Sequence, residues 1–215
     1  MATKEKQISY SSTNTYLCLN SVNEKTEYVW IVLHGIGYLS RYFLKYFNQL
    51  PKEKHYVIAP QAPSKYYLDN KFKHVGASWL TKEKREMETK NVLSYLNRIY
   101  TEENIPDHCQ LIVLGFSQGV SIATRWVAKN KIPCHQLVLY AGGIPEELTP
   151  GDFNFKAFQH SQVKIIVGDQ DNFLTTEKLE HELSKADLLF KGKAKLIKFQ
   201  GGHEVKKAII NRLAP

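Results

Sequence analysis

The chain has 215 residues, 43% of them hydrophobic and 23% charged, with a formal net charge of +8 at pH 7. This composition excludes disordered and collagen-like chains and is typical of a globular protein, so we expect one domain over residues 1–215. The positive charge is spread along the chain without a long block of like charges, and no DNA- or RNA-binding motif occurs, so no nucleic-acid partner is expected.

The cysteines and the N-terminal sequence indicate a compartment. Cys18, Cys109 and Cys134 lack the C-x-x-C spacing and lie in or beside apolar runs, so they are predicted to be buried thiols in a reducing compartment. Residues 1–12 contain no apolar core of signal-peptide length, and no run approaches the ~18 apolar residues of a membrane span. We expect a cytoplasmic protein that does not require membrane association, as a monomer or a homodimer.

The first half of the chain alternates apolar strand-like runs with helical patterns. The predicted elements are strands at 15–19, 27–33 and 56–59, helices at 40–50 and 83–100, and an irregular stretch at 60–81. The run at 27–33 is almost continuously apolar, which is typical of a central parallel strand, and the strand before it is close enough for a hairpin. An irregular stretch of roughly 20 residues is unusual in a compact domain and is often functional.

The second half repeats the alternation more regularly. The predicted elements are strands at 109–114, 136–140, 163–167 and 195–199, helices at 118–130, 175–190 and 204–213, and a short helix near 153–158. Strands and helices that alternate at this spacing predict an α/β fold with a mostly parallel, doubly wound sheet of about seven strands. No linker or large lid domain is predicted.

The stretch 115–119, Gly-Phe-Ser-Gln-Gly, lies between a predicted buried strand and a predicted amphipathic helix. The pentapeptide G-x-S-x-G alone is weak, but strand, pentapeptide and helix together are the setting of a nucleophile elbow. The glycines fit this setting because side chains two positions from the serine would collide with neighbouring backbone. The pattern predicts Ser117 as a catalytic nucleophile.

A serine nucleophile needs a base and an acid, and ligands bind beyond the carboxyl ends of parallel strands. Of the eight histidines, His203 follows the last strand at that edge in a glycine-flanked loop, whereas His34 precedes the nucleophile and is interpreted as a structural hydrogen-bonding residue. Asp169 and Asp171 both follow the strand at 163–167. Strand geometry does not choose between them, although reach into the cleft favours Asp171.

The reaction also needs fixed N–H donors for an oxyanion. One is expected from the backbone of Gln118, directly after the nucleophile at the start of a helix. The second is expected from the loop around Ile36, where Gly35 and Gly37 allow close approach of the backbone.

Six short stretches carry a resemblance to a known family. They are LHGIG (33–37), APQAP (59–63), ASWL (77–80), GFSQG (115–119), VGDQDNFL (167–174) and GGH (201–203). In this order and spacing, the chain resembles the phospholipase/carboxylesterase family of α/β-hydrolases, which includes the acyl-protein thioesterases. The resemblance implies a three-layer α/β-hydrolase fold. It also implies Ser117 as nucleophile, Asp171 as acid and His203 as base, with oxyanion donors from the backbones of Ile36 and Gln118, and Trp79 lining the acyl pocket.

Four positions depart from the usual pattern of that family. Asn172 replaces the proline after the acid, Leu80 and Thr81 replace an aromatic and an acidic residue after the tryptophan, and Val120 replaces a second glycine after the elbow. None of these removes a proposed catalytic group. They indicate a divergent branch and make the acyl specificity of the better-studied thioesterases a weak guide to that of this chain.

The sequence therefore predicts a serine hydrolase that cleaves carboxylic esters or thioesters, with a small-molecule or lipid acyl substrate. No metal or cofactor is expected, because no H-E-x-x-H motif, Cys/His cluster, P-loop or complete dinucleotide fingerprint occurs. The alternatives are an amide or peptide hydrolase on the same triad, since fold and triad do not separate these reactions, and a non-catalytic binding protein with the same fold.

Overall fold

The structure, a computed structural model, describes residues 2–215. It contains nine strands: β1 (Tyr16–Leu19), β2 (Tyr28–Leu33), β3 (His55–Pro60), β4 (Ser64–Tyr67), β5 (Val75–Ser78), β6 (Gln110–Phe116), β7 (Gln136–Tyr140), β8 (Gln162–Gly168) and β9 (Ala194–Phe199). Seven of them form one sheet in the order β1-β3-β2-β6-β7-β8-β9, and β4 and β5 form a separate antiparallel hairpin. In the large sheet only the β1–β3 pair is antiparallel.

Helices cover both faces of the sheet. They are α1 (Ser40–Phe43), α2 (Arg85–Glu102), α3 (Gln118–Asn130), α4 (Thr176–Phe190) and α5 (Lys207–Leu213), with short 3-10 helices at Leu44–Phe47, Pro150–Phe153 and Lys156–His160. Strand side chains alternate between two hydrophobic clusters: Ile31 packs with α2, α3 and α4, whereas Trp30 and Val32 pack with α1 and α5. This is the three-layer α/β-hydrolase fold that the resemblance implied.

Several local predictions are corrected by the structure. The expected hairpin of β1 with β2 is wrong, because β1 pairs with β3, Tyr16 opposite Pro60. The stretch 60–81 is not wholly irregular, since it contains the β4–β5 hairpin. The helix expected at 40–50 is shorter, with one α-helical turn followed by a 3-10 turn. Cys18 was predicted to be buried but is exposed on edge strand β1.

The sheet brings the sequence motifs to one edge. Strands β2, β6, β7, β8 and β9 run parallel and in register, so their carboxyl ends lie side by side. The segments that follow them carry Ile36, Ser117, Gly142, Asp171 and His203. Among residues 2–215, no helix combines the length and the apolar character needed to cross a membrane.

Candidate active site

Ser117 occupies the sharp turn between β6 and α3. Its backbone has φ of 52° and ψ of −118°, a conformation that costs an L-residue free energy and persists only where the surroundings enforce it. The two flanking glycines explain how the turn fits: a Cβ on Gly115 would collide with the backbone of Gly119, and one on Gly119 with the carbonyl of Leu33. The turn therefore has the geometry of a nucleophile elbow.

His203 lies beside this serine, in the loop after β9. Its Nε2 is 2.9 Å from Ser117 Oγ, and its Nδ1 is 2.8 Å from Asp171 Oδ2. A carboxylate only accepts hydrogen bonds, so Nδ1 carries the proton and Nε2 is free to accept the serine hydroxyl. The imidazole also packs on the rings of Phe116 and Phe173, with centroid separations of 5.1 Å and 4.7 Å.

The structure separates the roles of the two aspartates after β8. The Asp171 side chain is buried; its Oδ2 faces His203, and its Oδ1 accepts the backbone N–H groups of Phe173 at 2.8 Å and Leu174 at 3.2 Å. Asp169 is exposed and accepts the N–H of Gly201 at 2.9 Å. Asp171 contacts the imidazole, and Asp169 orders the loop that carries it.

Two backbone amides near Ser117 are unpaired. Neither the N–H of Ile36 nor that of Gln118 has a hydrogen-bond acceptor within residues 2–215. The loop of Ile36 lies against the serine, since a Cβ on Gly35 would be 3.1 Å from the Cβ of Ser117. Gln118 is the first residue of α3, where the helix dipole also favours a negative charge. The arrangement provides two unsatisfied backbone donors near the serine.

Trp79 does not line a pocket. Its side chain has no exposed surface, and its indole N–H donates to the carbonyl oxygen of His34 at 2.7 Å. The prediction that Trp79 lines the acyl pocket is therefore corrected: the ring fills the core beneath the loop of Ile36, because its N–H has a buried partner there.

His34 is a buried, neutral hydrogen-bonding residue. Its Nδ1 lies 2.8 Å from the carbonyl oxygen of Gly35, and its Nε2 lies 3.1 Å from the N–H of Ala62. The first nitrogen must donate and the second must accept, which fixes the neutral tautomer. Burial lowers the pKa of His34 from 6.5 to about 4.

This lowered pKa predicts a loss of stability in acid. Between pH 6.5 and 4 the unfolded chain binds a proton at residue 34 that the folded chain does not, so the free energy of unfolding falls as the pH falls. At 1.36 kcal/mol per pKa unit, His34 should contribute a loss of about 2 kcal/mol between pH 7 and 4.5. Denaturant unfolding at both pH values checks this.

Variants separate the contribution of His34 to the pH dependence of stability from the contributions of the other histidines. Burial also lowers the pKa of His55 and His135, which contribute in the same direction. A His34→Asn variant should show a shallower pH dependence than the wild type, whereas His181→Asn, at an exposed histidine, should keep the full dependence. If the free energy of unfolding changed with pH equally in all three proteins, the assignment of the effect to His34 would be contradicted.

A cavity of about 390 Å³ lies beside Phe173, whose ring packs on His203. Gly143, Phe173, Leu174 and His181 are among the residues that line it. Phe173, 68% exposed, packs on His203, and the neighbouring Gly142 leaves no room for a Cβ against the Ser117 carbonyl. Sequence reasoning did not single out Phe173 as a site residue, although it lies in the stretch VGDQDNFL, two residues after Asp171.

A second cavity, of about 420 Å³, lies at the opposite edge of the sheet, at the amino ends of β2 and β6. It is lined by charged side chains that pair with one another, Lys25 with Glu53 and Lys54 with Glu27. It contains neither the serine nor its partners. Those side chains do not line the first cavity either, but Phe173 connects that cavity to them, because its ring packs on His203.

Within the described residues, 2–215, one group of side chains has ligand atoms close enough for a metal ion. Donor atoms of Glu146, His181 and Glu182 lie within 4.8 Å of one another. The ammonium of Lys185 already pairs with both carboxylates, and Glu182 also accepts the N–H of Ile144 at 2.7 Å. A cation would have to displace Lys185, so the cluster fits a structural link between α4 and the loop after β7.

The sheet order and the Ser117–His203–Asp171 arrangement define the class of the protein: an α/β-hydrolase-fold protein with the side chains of a serine hydrolase. The chain belongs to the family described as Serine hydrolase (FSH1), whose sequence model matches residues 31–208. No protein with a curated description matches the chain significantly.

Solved structures show the same fold. Acyl-protein thioesterase 2 from Zea mays has a TM-score of 0.71 at 14% identity, with 94% of this chain and 96% of that one covered. Phospholipase/carboxylesterase from Dyadobacter fermentans has a TM-score of 0.68 at 17% identity, with 94% of this chain and 97% of that one covered. The Bacillus cereus carboxylesterase has a TM-score of 0.64 at 16% identity, with 93% of this chain and 91% of that one covered. These structures confirm the fold that the family resemblance implied.

Proposed function

We propose that this protein is a cytoplasmic serine hydrolase that cleaves carboxylic esters or thioesters through an acyl-enzyme intermediate on Ser117. The observation that carries the proposal is the hydrogen-bonded chain from Ser117 Oγ through both nitrogens of His203 to Asp171, with distances of 2.9 Å and 2.8 Å. An isolated serine is a weak nucleophile, and this chain supplies the adjacent base that activates it.

The proposed mechanism uses the same groups in two half-reactions, acylation and deacylation. Ser117 Oγ attacks the carbonyl carbon while His203 Nε2 accepts its proton, and buried Asp171 stabilises the imidazolium. The unpaired amides of Ile36 and Gln118 hold the oxyanion of the tetrahedral intermediate. His203 then protonates the leaving group, and the same histidine activates the water that hydrolyses the acyl-serine.

The cavity beside Phe173 is the proposed site of the substrate's apolar group. The exposed phenyl ring of Phe173 packs on His203 and, together with Leu174, offers apolar surface to the cavity. Each methylene buried there would contribute roughly 0.8 kcal/mol to binding. An acyl chain of a few carbons would therefore be enough for the site to distinguish it from an acetyl group. A long-chain or a short-chain ester both fit this proposal, and a substrate series distinguishes them.

The experiment combines covalent labelling with such a series. A fluorophosphonate should modify Ser117 in the folded protein, and esters and thioesters of rising acyl length should be hydrolysed faster than peptides. Phe173→Ala should raise KM for an octanoyl ester about tenfold, with little change for an acetyl ester. Faster cleavage of peptides than of esters would favour the amidase alternative. An unmodified Ser117 in folded protein would favour a binding protein.

A further inference from the structure

We infer that the side chain of Gln118 holds the opposite half of the oxyanion hole in place, acting through Trp79 and His34. This rests on the proposed function, in which the backbone amides of Gln118 and Ile36 are the two oxyanion donors. Gln118 would then have two roles: its backbone supplies one donor, and its side chain, as a positioning group, sets the other.

The first link joins Gln118 to the segment after β5. Its Oε1 accepts the backbone N–H of Trp79 at 2.8 Å, and its Nε2 donates to the carbonyl oxygen of Leu80 at 2.7 Å. The hydroxyl of Ser78 contacts both ends of the same amide. One donor and one acceptor on the backbone fix which way the amide points, so the start of α3 and residues 78–80 are held as one unit.

The second link joins Trp79 to the loop after β2. The indole N–H donates to the carbonyl oxygen of His34 at 2.7 Å, and the two rings pack with centroids 5.1 Å apart. Both side chains are fully buried. Without this donor the buried carbonyl oxygen of His34 would be left without a hydrogen bond, which costs free energy. The bond therefore strongly restricts the backbone at residue 34.

The third link reaches the oxyanion donor itself. The imidazole of His34 donates to the carbonyl oxygen of Gly35 at 2.8 Å, and Tyr38 N–H contacts the same oxygen at 3.3 Å. The carbonyl of Gly35 and the N–H of Ile36 belong to one planar peptide unit. Holding the carbonyl therefore fixes the direction in which the Ile36 N–H points.

The inference predicts a defect in the transition state rather than in binding. Displacing an oxyanion donor weakens a hydrogen bond that forms fully only as charge develops, so kcat falls while KM is nearly unchanged. Trp79→Phe removes the indole donor, and Gln118→Met removes the amide while retaining the backbone N–H. Each should lower kcat for an ester about tenfold, with KM within about threefold of the wild type, and should weaken a trifluoromethyl ketone inhibitor by the same factor as kcat.

Trp126→Phe is the matched control. Trp126, on α3, is equally buried in the core, and its indole N–H donates at 2.7 Å to Oδ1 of Asn97, which lies on α2 and not in the loop of Ile36. It should lose comparable stability and keep kcat. The double variant Trp79→Phe/Gln118→Met should be no slower than the slower single variant, because both substitutions interrupt one chain of contacts.

A second measurement does not depend on activity. Amide hydrogen exchange over residues 33–39 should be faster in Trp79→Phe and Gln118→Met than in the wild type and in Trp126→Phe. If the wild type is active but both variants keep its kcat and its amide exchange rates, the inference fails and the proposed function stands. If exchange responds as expected but the wild type hydrolyses no ester, the proposed function fails and the positioning contacts stand. Should Trp79→Phe not fold, Gln118→Met, at a half-buried side chain, decides the question.

Discussion

Replacing Ser117 with alanine is expected to lower kcat for an ester by about 10⁵- to 10⁶-fold, to near the background rate. The substitution removes the atom that forms the acyl intermediate, and no other side chain can accept the acyl group from the same position. Alanine meets the same positive φ as serine, so the free energy of unfolding should stay within about 0.5 kcal/mol of the wild type. Steady-state kinetics and denaturant unfolding measure the two quantities.

Ser94→Ala is the matched control for this substitution, because Ser94 is an exposed serine on α2, away from the strand ends. It should leave kcat unchanged and should not prevent labelling by a fluorophosphonate. Retention of more than about 1% of the activity by Ser117→Ala would contradict the assignment of Ser117 as the nucleophile. Loss of labelling in Ser94→Ala would show that the probe reports folding rather than the site.

The sheet could be predicted from the sequence because its central strands are buried on both faces. The run at β2 is apolar at almost every position, and such runs alternating with amphipathic helices leave few other topologies. The β4–β5 hairpin carries no comparable signal: all four residues of β4 are exposed, and β5 reads Val-Gly-Ala-Ser. The partner of β1 was missed because nearness in sequence favours a hairpin but does not determine pairing.

The contact between the proposed catalytic side chains could be predicted for a different reason. Parallel strands bring distant loops to one edge, so Ser117 and His203, 86 residues apart, could be placed together without any contact information. The contacts around Trp79 could not be predicted. Its bonds to Gln118 and His34 join residues 39 and 45 positions apart, and a tryptophan that lines a pocket has the same local pattern as one that fills a core.

Replacing Asp171 with asparagine is expected to lower kcat by about 10⁴-fold while leaving the fold intact. The reason lies in the two oxygens of the carboxylate. Oδ1 accepts the N–H groups of Phe173 and Leu174, so an asparagine would keep its oxygen there and turn its NH₂ toward His203. An NH₂ group donates, which forces the proton of the imidazole from Nδ1 to Nε2. His203 could then no longer accept the proton of Ser117.

Asp169→Asn tests the same chemical change two residues away. Asp169 accepts one N–H, from Gly201, and an asparagine oxygen can accept it equally well, so kcat should stay within about threefold of the wild type. A larger loss in Asp169→Asn than in Asp171→Asn would make Asp169 the acid. A further check is the double variant Ser117→Ala/Asp171→Asn, which should be no slower than Ser117→Ala alone, because an acid that acts only through His203 on Ser117 has nothing to act on once the hydroxyl is gone.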